Sequence, residues 1–129
     1  MANASRDKER LKKLSAICLA LPEAVRKDQG SHAAFRVAKK VFAYYLNDHH
    51  GDGIVGIWCK ALPGDNERLI VSNPRKFYMP AYVGPRGWVG LRLDRPTVDW
   101  SEVTELVRLS YLQIAPKKLV RLMDQTATG

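Results

Sequence analysis

Between Pro22 and Lys60 the chain strings together EAVRKD, AFRVAK, VFAYYLN and GIVGIWCK, short segments rich in β-branched and aromatic residues and punctuated by Gly, Asn, Asp and Lys-Lys. They read as four strands. The step at Lys39-Lys40 and the loop from Asn47 to Gly53 are both short enough to make hairpins, so the strands are expected to lie as antiparallel neighbours. An antiparallel sheet is therefore the frame on which everything else must pack.

Upstream, Leu11, Leu14, Cys18 and Leu21 recur at three- and four-residue spacings, the stripe of a helix that begins near Ser5 and stops before Pro22. Its other face, with Lys8, Glu9, Lys12 and Lys13, reads as solvated. Downstream, LPGDNERLIVSNP suits a short helix, with Leu69, Ile70 and Val71 as its apolar residues and Pro74 beyond its end. Strands are then expected over Tyr78–Val83 and Trp88–Leu93, joined across Gly84-Pro85-Arg86-Gly87. Asp99 with Glu102 forms a capping-box pattern, and Val98 can pack on Val103 as a staple. Val103, Leu106, Val107, Ser110, Tyr111 and Ile114 give that helix its buried face, and Pro116 restarts a last helix through Leu119, Leu122 and Met123. The ends, about 1–4 and 124–129, read as loose.

Helix, strands, helix, strands, helix, helix over 129 residues makes one α+β domain with a single core: two layers, an antiparallel sheet with helices on one face and the other face partly open. No run of about 18 apolar residues offers a membrane span, and the polar start MANASRDKERLKK does not read as a secretory signal, so a cytoplasmic location is expected. Cys18 and Cys59 read as packed hydrophobes rather than a bridge. The net charge of +8 favours encounter with polyanions such as DNA, RNA or anionic membranes, without naming one.

The glycine-rich stretch AYVGPRGWVGLRLD decides less than it promises. A phosphate cradle needs glycines that lead into a helix N-terminus, and here they lead into a strand, so a hairpin turn explains them better. Alternation puts Val89, Leu91 and Leu93 toward the core and Trp88, Gly90 and Arg92 on the face away from the helices, where Trp58 and Arg36 can join them. On that placement Trp88→Ala is expected to cost little stability. A ring beside a cation suits base stacking and phosphate contact; the same pair on a half-exposed sheet also simply covers itself.

Four stretches, CLALPEA, HAAFRVAKKVFAYY, YVGPRGWVGLRLD and DWSEVTELVRLSYLQIAPKKLV, occur in an order that resembles the MmcQ/YjbR-like proteins over nearly the whole chain. Gln29-Gly30-Ser31 and Ala81 depart from the pattern, where Trp-Gly and Pro are often found. The resemblance implies a two-layer fold similar to frataxin-type and secretion-chaperone-type domains. It also implies DNA binding through a double wing, a proposal attached to a largely uncharacterised family. Carried onto this chain, one wing has Lys39 and Lys40 at its tip and Arg36 in its first strand, and the other has Arg86. Arg75 and Lys76 precede the second wing, Arg92 follows it, and Lys117, Lys118 and Arg121 lie on the last helix.

His49-His50 between Asp48 and Asp52 has the composition of a metal site, but adjacent residues rarely aim at one ion, and a polar hairpin loop is the simpler reading. His32 reads as a hydrogen-bonded structural histidine. No nucleophile motif or acid/base pair stands out, so neither catalysis, metal nor cofactor is expected. The leading expectation is a monomeric DNA-binding module. The alternative is a protein- or peptide-binding adaptor that uses Trp58, Tyr82, Trp88 and Arg92 on the open face.

Overall fold

The computed structural model describes the backbone of residues 2–128 and the side chains of residues 5–123. Helix α1 (Ala2–Leu19) leads into β1 (Val25–Gln29), β2 (His32–Val37) and β3 (Lys40–Asn47), and a 3₁₀ turn at His49–Gly51 carries the chain into β4 (Val55–Lys60). Helix α2 (Asp65–Ser72), the two-residue strand β5 (Phe77–Tyr78), a second 3₁₀ turn (Gly84–Arg86) and β6 (Trp88–Arg92) follow, then α3 (Trp100–Ile114) and α4 (Lys117–Thr128). The strands form one antiparallel sheet in the order β1-β2-β3-β4-β6-β5, which makes an α+β fold with four helices. None of the helices is long and apolar enough to cross a membrane among the described residues. The side chains at the ends expected to be loose, 1–4 and 124–129, lie outside the described residues.

The main core lies between the sheet and its helices. Phe35, Val37, Ile57, Val89 and Leu91 from the strands, with Leu93 just past β6, meet Leu14, Cys18, Val103, Val107 and Tyr111 from α1 and α3; Val89, Leu91, Leu93 and the helix residues are those that alternation and helical spacing predict. Cys18 and Cys59 are free and buried within it, and burial pushes both thiols well above their ordinary range, so neither is poised for thiolate chemistry.

Strand β3 carries a bulge that alternation does not reveal. Phe35 pairs with Ala43 but Arg36 pairs with Val41, so Phe42 is the extra residue, and Phe42 and Ala43 are both fully buried. The ring of Phe42 meets Tyr111 edge-on at 5.3 Å. Buried Ser110 accounts for the backbone groups there: its Oγ donates to the Phe42 carbonyl (2.6 Å) and accepts from the Lys60 N–H (2.9 Å). Asp99 caps α3 by accepting from the N–H groups of Ser101 and Glu102, while the Glu102 carboxylate pairs with Lys76 at 2.6 Å.

The strand expected over Tyr78–Val83 does not form. Strand β5 ends at Tyr78, Pro80 has no N–H to offer the ladder, and Tyr82 adopts a left-handed φ of 66° that turns the chain away. Residues 79–87 are therefore a connection that lies partly over the sheet, and Gly84-Pro85-Arg86 is a 3₁₀ turn within it rather than a tight hairpin tip.

Candidate functional site

The helix-free face divides into two halves. Over β4 and β6, Leu46, Trp58 and Trp88 form a second buried cluster, joined by Tyr44, Tyr78, Val83 and Ile114. Trp58 and Trp88 are only 6 % and 8 % exposed, which corrects the expectation of open-face aromatics at these two positions. The cover comes from the chain itself. The ring of Tyr78 lies directly over Gly90, where an added Cβ would meet its Cζ at 2.5 Å, and over Gly56, where an added Cβ would meet its hydroxyl at 2.6 Å. Trp58 Nε1 donates to the Tyr78 hydroxyl (3.0 Å), and burial pushes that phenol up to about 12. Glycine at both positions is what admits the ring.

Arg92 shares this face but is committed to Asp94, with Nε to Oδ1 and Nη2 to Oδ2 both at 2.9 Å. Burial alone would raise the Asp94 carboxyl; the Arg92 hydrogen bond and charge, with the Val55 N–H, outweigh it and hold the group below its ordinary value. A cation so neutralised is a poor candidate for an external phosphate.

Over β1–β3 the same face opens into a cavity of about 470 Å³. Register explains its floor. Lys27 pairs with Ala34, Gln29 with His32, Ala34 with Tyr44, and Tyr44 with Trp58, so one row of side chains crosses four strands on this face. Arg36, half-buried, stands beside them, and its Nε is buried with no hydrogen-bond partner among the described residues. Ala81, Tyr82 and Val83 wall the cavity from the 79–87 connection, and His49 walls it from the β3–β4 loop. Tyr82 is 78 % exposed, the one aromatic of the three expected on this face that stands in water. None of the described residues lining the cavity is acidic.

The histidines gather at one edge of this cavity. His32 Nδ1 accepts from the Asn47 N–H (3.1 Å), in keeping with a hydrogen-bonded structural role, yet its ring also meets His49 edge-on at 5.7 Å. His49 lies 4.0 Å from the His50 ring and 5.3 Å from Trp58. Burial, His50 and His32 push His49 below its ordinary value, against the opposing pull of Asp52. Among the described residues no three of His, Cys, Asp or Glu are arranged to hold a metal ion.

The cations of the hairpin and of the segments that flank β4 and β6 fall at two opposite ends of the sheet. Lys40 opens β3, Lys60 closes β4 opposite Trp88, and the Ala61 N–H donates to the Gly87 carbonyl (3.0 Å). Lys39, Lys40, Lys60 and Arg86 therefore share one end. Gln113, near the end of α3, donates to the Lys60 carbonyl (2.9 Å), which brings the start of α4 with exposed Lys117 and Lys118 toward the same end. Arg75, Lys76 and Arg92 belong to the other end, where Phe77 pairs with Leu91, and there Lys76 is held by Glu102. Lys60 is not legible in the sequence because only the β4–β6 register shows which residues flank the Arg86 turn. Lys27, His32 and Tyr44 are hidden for a similar reason: a cavity floor spread over four strands depends on register, bulge included.

A family model named YjbR matches residues 19–113. None of the curated proteins matches the chain. Among solved structures, the fold is similar to that of the Deinococcus radiodurans protein DR2400, which carries the family domain DUF419, with a TM-score of 0.64, 22% sequence identity, and 81% of this chain and 77% of that one covered. The matched span takes in both β-hairpin regions, the glycine stretch and all but the last residue of α3, and on it the chain belongs to the YjbR family.

Proposed function

We propose that the protein is a DNA-binding module that meets the phosphate backbone with one end of its sheet. The observation that supports this best is the register that gathers Lys39, Lys40, Lys60 and Arg86 at the same end, with Lys117 and Lys118 from α4 nearby. Lys39 and Lys40 project from the β2–β3 hairpin and Arg86 from the 79–87 connection, so the two would act as wings on either side of β4. Long cations at loop tips reach phosphate without distorting the domain, and they give affinity without sequence preference. Arg75, Lys76 and Arg92 leave the contact set, the first by position and the other two because carboxylates already hold them. The adaptor reading loses two of its anchors, since Trp58 and Trp88 are buried within the chain.

Anisotropy of a labelled mixed-sequence duplex tests the proposal. Binding at low salt is expected with a Kd of roughly 10⁻⁴–10⁻⁶ M, the range of non-specific binding. The triple variant Lys39→Ala/Lys40→Ala/Arg86→Ala should weaken binding at least about tenfold and flatten its salt dependence, by about one unit of slope for each phosphate that is no longer neutralised. Arg75→Ala, at the opposite end, should change little. Absence of binding at low salt, or a triple variant that binds like the parent, contradicts the proposal.

A further inference from the structure

We infer that the cavity on the helix-free face binds a nucleotide unit, with the base against its aromatic wall and the phosphate at Arg36. This goes beyond contact at the sheet end and shares none of its residues. Three independent features point to such a ligand. The first is charge: Arg36 and Lys27 line the cavity, no described lining residue is acidic, and the buried Arg36 Nε has no protein partner among the described residues. No ion pair among the described residues commits the Arg36 guanidinium to a carboxylate, and an anion in the cavity would pair with its charge.

The second feature is the wall. Tyr44 and Trp58 border the cavity from β3 and β4, and Tyr82 lines it from the 79–87 connection. Tyr82 is 78 % exposed at a φ of 66°, a conformation that is an outlier for a bulky residue. The ring meets His50 edge-on at 6.3 Å and stands otherwise largely in water, so a base stacked on it would cover apolar surface that the free protein leaves exposed. The third is the polar edge. The proton of the His32 ring resides on Nε2, because Nδ1 accepts from Asn47, and Gln29 beside it offers both an amide donor and a carbonyl acceptor. Donor and acceptor groups at the rim of an apolar floor suit the edge of a base or a sugar hydroxyl. At about 470 Å³ the cavity falls within the size range of small-molecule sites.

The same chemistry could come from a free mononucleotide or from an unpaired nucleotide in a strand. Intrinsic tryptophan fluorescence, which Trp58 reports from the cavity, is titrated with thymidine 5′-monophosphate, thymidine, benzoate and a single-stranded oligothymidylate. Saturable quenching is expected with the oligonucleotide, the monophosphate or both, and at least about tenfold weaker with thymidine. A response to the strand alone assigns the site to an unpaired nucleotide within a strand; a response to both admits the free nucleotide. Arg36→Gln and Tyr82→Gly should each weaken that binding about tenfold, and Tyr82→Gly removes the ring without disturbing the sheet. The Lys39→Ala/Lys40→Ala/Arg86→Ala variant should leave monophosphate binding, if present in the parent, unchanged, so failure of the sheet-end reading and failure of this one are separable. No saturation by either nucleotide ligand at millimolar concentration overturns the inference. So does tighter binding of benzoate than of the nucleotides, or binding that Arg36→Gln leaves unchanged.

Discussion

Trp88 sits on a sheet face that carries no helix, yet it is 8 % exposed because Tyr78 and Val83 fold over that face beside it. Strand alternation identifies the face correctly and cannot identify the cover. Gly90 and Gly56 look in the sequence like room for a ligand, and the room is filled by the chain's own tyrosine. The consequence is a reversal: Trp88→Ala removes a buried indole and should cost about 3–5 kcal/mol, the range for emptying a large aromatic site. Urea unfolding checks this, with a lower midpoint at unchanged slope expected. A midpoint like the parent's would return Trp88 to the surface. Arg92 shows the same limit in electrostatic form, since its residue type suggests phosphate and only the geometry shows that Asp94 already occupies its fork. Tyr82 is legible as an exposed aromatic, though the left-handed backbone that holds it over the cavity is not.

At the scale of elements, most of the architecture is readable because local signals and tertiary packing agree. Helix α3 is the clearest case: Asp99 caps it as its spacing predicts, and Val103, Val107, Ser110 and Tyr111 are buried on one face. The 79–87 connection misleads because Tyr-Met-Pro-Ala-Tyr-Val has strand composition, while Pro80 and the left-handed Tyr82 decide the path. The sequence suggests a β2–β3 turn at Lys39-Lys40, one residue beyond its true position. The turn residues are Ala38 and Lys39, at φ of 49° and 70°, the double positive φ of a type I′ hairpin. Neither is glycine, and a non-glycine residue in the left-handed region costs roughly 1–2 kcal/mol, partly offset for glycine by its greater entropy when unfolded. Ala38→Gly should therefore stabilise the protein by about 0.5–1 kcal/mol, read as a higher urea midpoint. A lower midpoint would mean that the turn is not strained as its dihedrals indicate.

For the molecule as a whole, the net charge of +8 acquires content only once the sheet register distributes it. Among the described residues, five cations are engaged with carboxylates: Arg26 with Asp28, Arg68 with Asp65, Lys76 with Glu102, Arg92 with Asp94 and Arg108 with Glu105. Those at the Lys39/Arg86 end and in the face cavity are the ones we propose meet an external anion. The two sites lie on adjoining surfaces, since Arg36 pairs with Val41 next to the hairpin that carries Lys39 and Lys40. The fold class, the family resemblance and the wing cations individually are all legible in the sequence. Which cations act together is set by antiparallel pairing across β3, β4 and β6, long-range information that no local pattern holds. The most direct measurement is an amide chemical-shift map of the labelled protein titrated with a short mixed-sequence duplex. Phosphate contact at the Lys39/Arg86 end predicts that the largest changes cluster at Ala38–Lys40, Lys60–Ala61 and Arg86–Gly87 and shrink together as salt is raised. Changes centred on Arg75–Lys76 and Arg92–Asp94, or no changes at all at low salt, would contradict it.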